Sequence, residues 1–327
     1  MKITVLGCGR WGAFHAWYAA YAGHEVTLWG RPGSAHFAEL AKTRKNEYLQ
    51  LPPQIKLTDD LQQAVAAADY CLIAIGAQSL RSFAKQLCQL DGSRQKKYVL
   101  CMKGLEIGTG KRLTQVFTEE MGEAAETIVW VGPGHVQDFI RGIPNCMVLA
   151  AANLANVKEF TAEFSSELIR FYYGRDLLGI EIGAAAKNVM GLAAGMLDGF
   201  SYSSLKGALM ARGTAELSRL IAALGGHKMT VYGLSHLGDY EATLFSSYSH
   251  NRLFGESFVQ GKPFAKLAEG VYTAEALMTL AKENNLELPI CETVYRIIKK
   301  GEDPQEALKN LFMREVKEEG FAAYQEN

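Results

Sequence analysis

Hydrophobic and polar positions in the first half of the chain alternate between two periods. The short apolar runs ITVLG, EVTLW, YCLIAI, YVLCM, TIVWV and CMVLA read as strands, and residues 10–22, 59–68, 79–90 and 109–121 between them carry helical spacing. Strands that are continuously apolar and separated by helices form a parallel sheet covered on both faces. From about residue 178 the strand signal stops. Helical patterns then follow one another, with Gly225-Gly226, Pro289 and Pro304 as breakers or starts. The pattern predicts an α/β domain over residues 1–177 and an all-α domain over 178–327, with no internal repeat and only the last dozen residues reading as a loose tail.

The first helix of the second half contains GAAAKNVMGLAAGM, residues 183–196, in which Lys187 is the one charge. At helical period Lys187 shares a face with Gly191, Ala194 and Asp198, while Val189, Leu192, Ala193 and Met196 make the other faces apolar. Two readings are open for a lysine in a helix destined for burial. Its stem can carry the ammonium out to water. Alternatively it faces a cleft, where burial or a second cation brings its pKa toward neutrality and makes it a proton donor or acceptor.

Composition narrows the partners. With 34 basic and 35 acidic residues in 327, the formal net charge of -1 gives no electrostatic case for nucleic acid or an anionic membrane, which leaves small molecules. Cys8, Cys71, Cys88, Cys101, Cys146 and Cys291 show no CxxC spacing, so they read as reduced residues in a cytosol, and neither cysteines nor histidines suggest a metal. No signal peptide is legible in MKITVLGCG, and no uninterrupted apolar run reaches spanning length.

Candidate chemistry begins at residue 7. ITVLGCGRWG is a strand followed by Gly7-x-Gly9-x-x-Gly12 at the opening of a helix, the fingerprint of a Rossmann-type dinucleotide site. The first glycine permits the tight turn, the second lets a pyrophosphate approach the helix N-terminus, and the third allows close helix packing. After the second strand, VTLWGRPG places Gly30 and Arg31 where a carboxylate would hold the ribose 2′-hydroxyl of NAD. An arginine there suits a 2′-phosphate, so NADPH is the expected cofactor, with NADH admitted as a second.

Several longer stretches resemble the NAD(P)-dependent sn-glycerol-3-phosphate dehydrogenase family across almost the whole chain. They are the glycine loop with Trp11, KGLE at 103–106, VGPGH at 131–135, EIGAAAKNVMGLAAGMLDG at 181–199, GLSHLGDYEAT at 233–243, SHNRLFGESFVQGK at 249–262 and AEGVYTA at 268–274. The resemblance implies that Lys187 transfers the proton and that Lys103 lies between cofactor and substrate, with Asp239 beside them in the catalytic group. It implies substrate contacts at Gly132, Asn188, Thr243, Ser249, His250, Asn251 and Arg252, and cofactor contacts at Gly7, Gly9, Arg10, Trp11, Gly12, Arg31, Lys103, Val136 and Glu269. Reduction of a ketone by hydride needs an acid for the developing alkoxide, and two neighbouring cations lower one lysine's pKa while polarising the carbonyl. The implied activity is reversible reduction of dihydroxyacetone phosphate to sn-glycerol 3-phosphate, feeding glycerophospholipid synthesis in the cytoplasm. A homodimer is admitted.

Three departures from the family pattern bear on substrate choice. The hydroxyl residue that the family carries after GP is Gly134, and its closing serine-arginine-proline stretch reads FMREVKEE at 312–319. The family's SRN is SHN, so His250 stands where an arginine clamps the substrate phosphate, with Arg252 two places on. A histidine offers fewer donors and a pH-dependent charge. Two other functions therefore stay open: a dehydrogenase acting on a different small hydroxy or keto compound, and a dinucleotide-binding redox sensor. The retained lysines speak against the sensor.

Overall fold

The computed structural model describes residues 1–315, so the expected loose tail and the end of the 312–319 stretch lie outside the described residues. Eight strands form one sheet: β1 (Lys2–Leu6), β2 (Glu25–Trp29), β3 (Lys56–Thr58), β4 (Tyr70–Ile73), β5 (Lys97–Leu100), β6 (Thr127–Val131), β7 (Asn145–Ala150) and β8 (Ile169–Gly174), in the order β3-β2-β1-β4-β5-β6-β7-β8. Alternate residues of β1 feed two apolar layers. Ile3 and Val5 pack with Phe14, Tyr18 and Trp130, and Leu6 packs on the other side with Leu61, Phe83 and Leu87. Burial on both faces is why these strands read as unbroken apolar runs.

The sheet departs from the all-parallel expectation at one place, where β6 and β7 pair antiparallel. A parallel return would have to climb back the length of β6, whereas the only helix in this connection, Val136–Ile140, has five residues and rises about 7.5 Å. The chain therefore reverses. Two strands had no sequence signature: β3 has three residues, and β8 lies at the sheet edge with alternate side chains in water.

The helical half is built on one long helix, Leu177–Gly199, capped by Asp176, whose Oδ1 accepts from Gly179 N at 3.0 Å. Among the described residues it is the one helix long and apolar enough to cross a membrane, yet it is mostly buried in the protein as the core of this half. Helices His250–Val259 and Gly270–Glu283 lie against it. Their approach is very close: a Cβ on Gly195 would stand 1.9 Å from Arg252 O, and one on Gly255 would stand 2.1 Å from Leu192 O. The small residues flanking Lys187 in sequence are thus what lets the Ser249–Asn251 corner sit over the lysine-bearing helix.

Candidate active site

A cleft of about 1140 Å³ runs from the carboxyl ends of β1, β2 and β4 to the face of the long helix that carries Lys187 and Asn188. Gly7 has a φ of +117°, and a Cβ there would meet Ala74 O at 2.4 Å, so only glycine makes this turn. A Cβ on Gly12 would stand 1.8 Å from Gly7 O. Gly9 is different, because a Cβ on it would meet nothing within 4 Å: its face opens on the cleft. Gly9 also caps helix Arg10–Tyr21 without a side-chain hydrogen bond, and no acid sits in that first turn. An open glycine face, uncapped helix N–H groups and no repelling carboxylate fit a dinucleotide pyrophosphate. Trp11 lines the cleft too.

Across the cleft, Lys187 is buried at 7% exposure and Asp239 at 1%. Lys187 Nζ lies 2.7 Å from Asp239 Oδ2 and donates to Thr243 Oγ1 at 2.6 Å. Lys103 Nζ reaches the same Asp239 Oδ2 at 2.7 Å and donates to Gly132 O at 2.7 Å. Gly132 thus enters the site by its carbonyl, which holds Lys103 from the loop after β6. Burial is the largest influence on Lys187 and draws its pKa down to about 7; Asp239 opposes the fall and the Lys103 cation adds to it. Thr243 sits in a short π-helical turn, Glu241–Phe245, which returns it to the face of Asp239. Such a turn has no legible sequence signal.

Asn188 Oδ1 accepts from Asn251 Nδ2 at 3.0 Å, and Asn251 Oδ1 accepts from Gly270 N at 2.9 Å, which ties three helices together at the cleft floor. Glu269 precedes helix Gly270–Glu283. Its Oε1 accepts from Ala77 N beyond β4 at 3.0 Å, and its Oε2 is buried with no partner, an acceptor suited to a ligand amide. Burial raises its pKa. Ser249 and His250 line the cleft, as does Arg31 at the end of β2, beside Ser34. Burial, Arg10 and Lys266 in that order hold the His250 imidazole below its ordinary pKa.

Two expected contacts do not reach the cleft as side chains. Val136 is fully buried among Phe14, Trp130 and Phe139 in the core beside the sheet, so its apolar side chain serves packing. Arg252 is turned to the far side of its helix, where Nη1 meets Asp198 Oδ2 at 2.9 Å and Glu256 Oε2 at 2.8 Å, and Nε donates to Ser246 O at 3.0 Å. Two carboxylates hold the guanidinium there through charge-assisted hydrogen bonds. The glycine at 134 also has a structural cause: its φ is +133°, and a Cβ there would meet Phe139 Cε2 at 2.5 Å. Residues without a sequence signal join the site as well. They include Tyr48 and Lys266, while His135, the last residue of the VGPGH stretch, also lines the cleft, its burial and cationic neighbours Arg10 and Lys187 lowering its pKa to about 4.

Comparison with known proteins agrees with this geometry. Residues 2–157 match the model of the NAD-dependent glycerol-3-phosphate dehydrogenase N-terminus, and residues 176–309 match that of its C-terminus. The chain is 37% identical to glycerol-3-phosphate dehydrogenase [NAD(P)+] of Aromatoleum aromaticum, covering 98% of this chain and 100% of that one. It is 36% identical to the protein of that name from Prosthecochloris aestuarii, again covering 98% and 100%. The crystal structure of glycerol-3-phosphate dehydrogenase from Coxiella burnetii superposes with a TM-score of 0.88 at 27% identity, over 96% of this chain and 99% of that one. With both halves matched in order and relatives alike from end to end, the chain belongs to the NAD-dependent glycerol-3-phosphate dehydrogenase family.

Proposed function

We propose that this enzyme reduces dihydroxyacetone phosphate to sn-glycerol 3-phosphate with NADPH as its preferred cofactor, reversibly, in the cytoplasm, and that the product feeds glycerophospholipid synthesis. The observation that carries the reading is the pair of lysines converging on Asp239 Oδ2 in the same cleft as the open glycine loop. The nicotinamide, when bound, supplies the hydride. Lys187, with a pKa near neutrality, gives its proton to the carbonyl oxygen as the alkoxide develops and regains one from water. Lys103, held by Gly132 O and Asp239, polarises that carbonyl. Asp239 orients both ammonium groups, and Thr243 fixes the Lys187 rotamer. Asn188, Asn251 and Ser249 bound the substrate side, and Glu269 bounds the cofactor side.

Arg31 in place of a carboxylate after β2 supports NADPH. Arg10, Lys103, Lys187 and Lys266 around one cleft favour an anionic substrate over a neutral ketone. Six free cysteines, four of them buried, support a reducing compartment. The test follows NADPH absorbance with and without dihydroxyacetone phosphate, then with NADH. No substrate-dependent loss of absorbance would refute the reading.

A further inference from the structure

Helix His250–Val259 opens toward the cleft with Ser249, His250 and Asn251, but no arginine of this helix reaches it, because Arg252 is held by Asp198 and Glu256. A guanidinium nevertheless arrives at this helix start from the other domain. Arg10, the residue after Gly9, donates from Nη1 to Tyr248 O at 3.2 Å and from Nη2 to Gln137 Oε1 at 2.9 Å, with His135 Nδ1 3.4 Å from Nη2. Its Cζ lies 5.1 Å from the centre of the Tyr48 ring. A guanidinium has five N–H donors, and these three acceptors leave donors over, Nε among those without a partner. None of the three is charged, since burial and neighbouring cations keep His135 neutral. The acid that acts on Arg10, Glu47, is itself paired with Lys266 at 2.8 Å.

A half-buried cation lining a cleft, with neutral partners and unused donors, is a site for an anion. Position narrows which part of the cleft it serves. Arg31 and Ser34 line it after β2. The hydrogen-bond partners of Arg10 lie elsewhere, in the loop and short helix after β6 and in the residue preceding Ser249. The ten-residue helix capped by Ser249 adds the positive end of its dipole there.

Resting on the reading of this cleft as the one that takes dihydroxyacetone phosphate, we propose that Arg10 determines specificity for the substrate's phosphate, supplying from the glycine loop the guanidinium that helix His250–Val259 does not. Arg10, Ser249 and Asn251 then close on the phosphate from two domains, and His250 contributes a neutral donor. The cofactor's pyrophosphate offers the same chemistry, so the test has an arm for each.

The experiment titrates sn-glycerol 3-phosphate by calorimetry into NADP+-saturated protein, and NADPH by fluorescence into free protein, for the unaltered chain, Arg10→Ala and Arg10→Lys. Arg10→Ala is expected to lose about tenfold to a hundredfold in glycerol 3-phosphate affinity, the range for a charge-assisted hydrogen bond, while holding NADPH within about threefold. Arg10→Lys recovers part of the loss, because it keeps the charge and not the fork. Weakened NADPH with unchanged glycerol 3-phosphate overturns the proposal and assigns the guanidinium to the pyrophosphate; no change in either overturns it as well. If the unaltered chain binds the phosphoester but does not turn over dihydroxyacetone phosphate, the functional reading fails, and the phosphate assignment stands only if Arg10→Ala weakens that binding. If it binds no phosphoester, both fall.

Discussion

The Lys187 ammonium lies 2.7 Å from the Asp239 carboxylate at a point almost closed to water, and burial outweighs that carboxylate in setting the lysine's proton affinity. In the proposed mechanism, reduction needs Lys187 protonated. With its pKa brought down to about 7, the protonated fraction falls as pH rises through that value, so kcat/KM for reduction should fall and that for glycerol 3-phosphate oxidation should rise over the same window. Asp239 opposes the depression, so Asp239→Asn should move the reduction profile to lower pH. Lys187→Ala should lower turnover about a hundredfold or more while leaving NADPH binding largely intact. Stopped-flow rates from pH 5.5 to 9 check all three, and a Lys187→Ala enzyme with most of its activity would remove the residue from the mechanism.

Cofactor preference is predicted to rest on Arg31, the exposed cation that follows β2 where no carboxylate stands. Arg31→Ala should weaken NADPH by about 1 to 3 kcal/mol, the range for a charged hydrogen bond, and leave NADH nearly unchanged. Fluorescence titration of both cofactors into both proteins measures this. Equal NADPH and NADH affinities in the unaltered chain would count against a 2′-phosphate contact.

What the sequence made legible, and what it hid, follows from the range of the forces involved. The glycine turn and the buried strands are local patterns, and a lysine inside an apolar helix is a local anomaly, so Gly7, β4 and Lys187 could be read directly. The antiparallel β7 depends on how far a five-residue helix can carry the chain, and β8 has one wet face. Arg252 was legible as a cation near the right place, but its orientation depends on Asp198, 54 positions away, together with Glu256. The hydrogen-bond partners of Arg10 are more than a hundred residues distant, and no spacing rule connects them.

The crossing of the long helix with helix His250–Val259 should tolerate no side chain. Gly195→Ala would put a methyl group 1.9 Å from Arg252 O, so the second helix must move away, taking Ser249 and Asn251 with it. Overpacking of this kind destabilises by about 1–3 kcal/mol. Urea unfolding should show the lowered midpoint, and KM for dihydroxyacetone phosphate should rise more than that for NADPH. Gly207→Ala is the control, since a Cβ there meets nothing within 4 Å.

His250 is expected to meet the substrate as a neutral ring. A histidine at its reference pKa would clamp the phosphate as an imidazolium that is lost between about pH 6 and 8, and KM would climb as it goes. In the structure, burial first, then Arg10 and Lys266, press the pKa below that reference, against weaker opposition from the Leu267 backbone and Glu47. A group with a depressed pKa loses its proton at lower pH than a free imidazole, so above histidine's reference pKa of about 6.5 the ring of the free enzyme is mostly neutral. The substrate's second phosphate ionisation, near pH 6, gives more dianion as pH rises and binds more tightly to fixed cations. KM should therefore stay level or decline from about pH 6 to 7, and His250→Gln should reproduce the profile within about twofold. Lys187 titrates in the same region in both proteins, so its contribution cancels in the comparison. A climb in KM that disappears in His250→Gln would restore the imidazolium clamp, and would mean that the bound phosphate raises the imidazole's pKa by more than burial and two cations lower it.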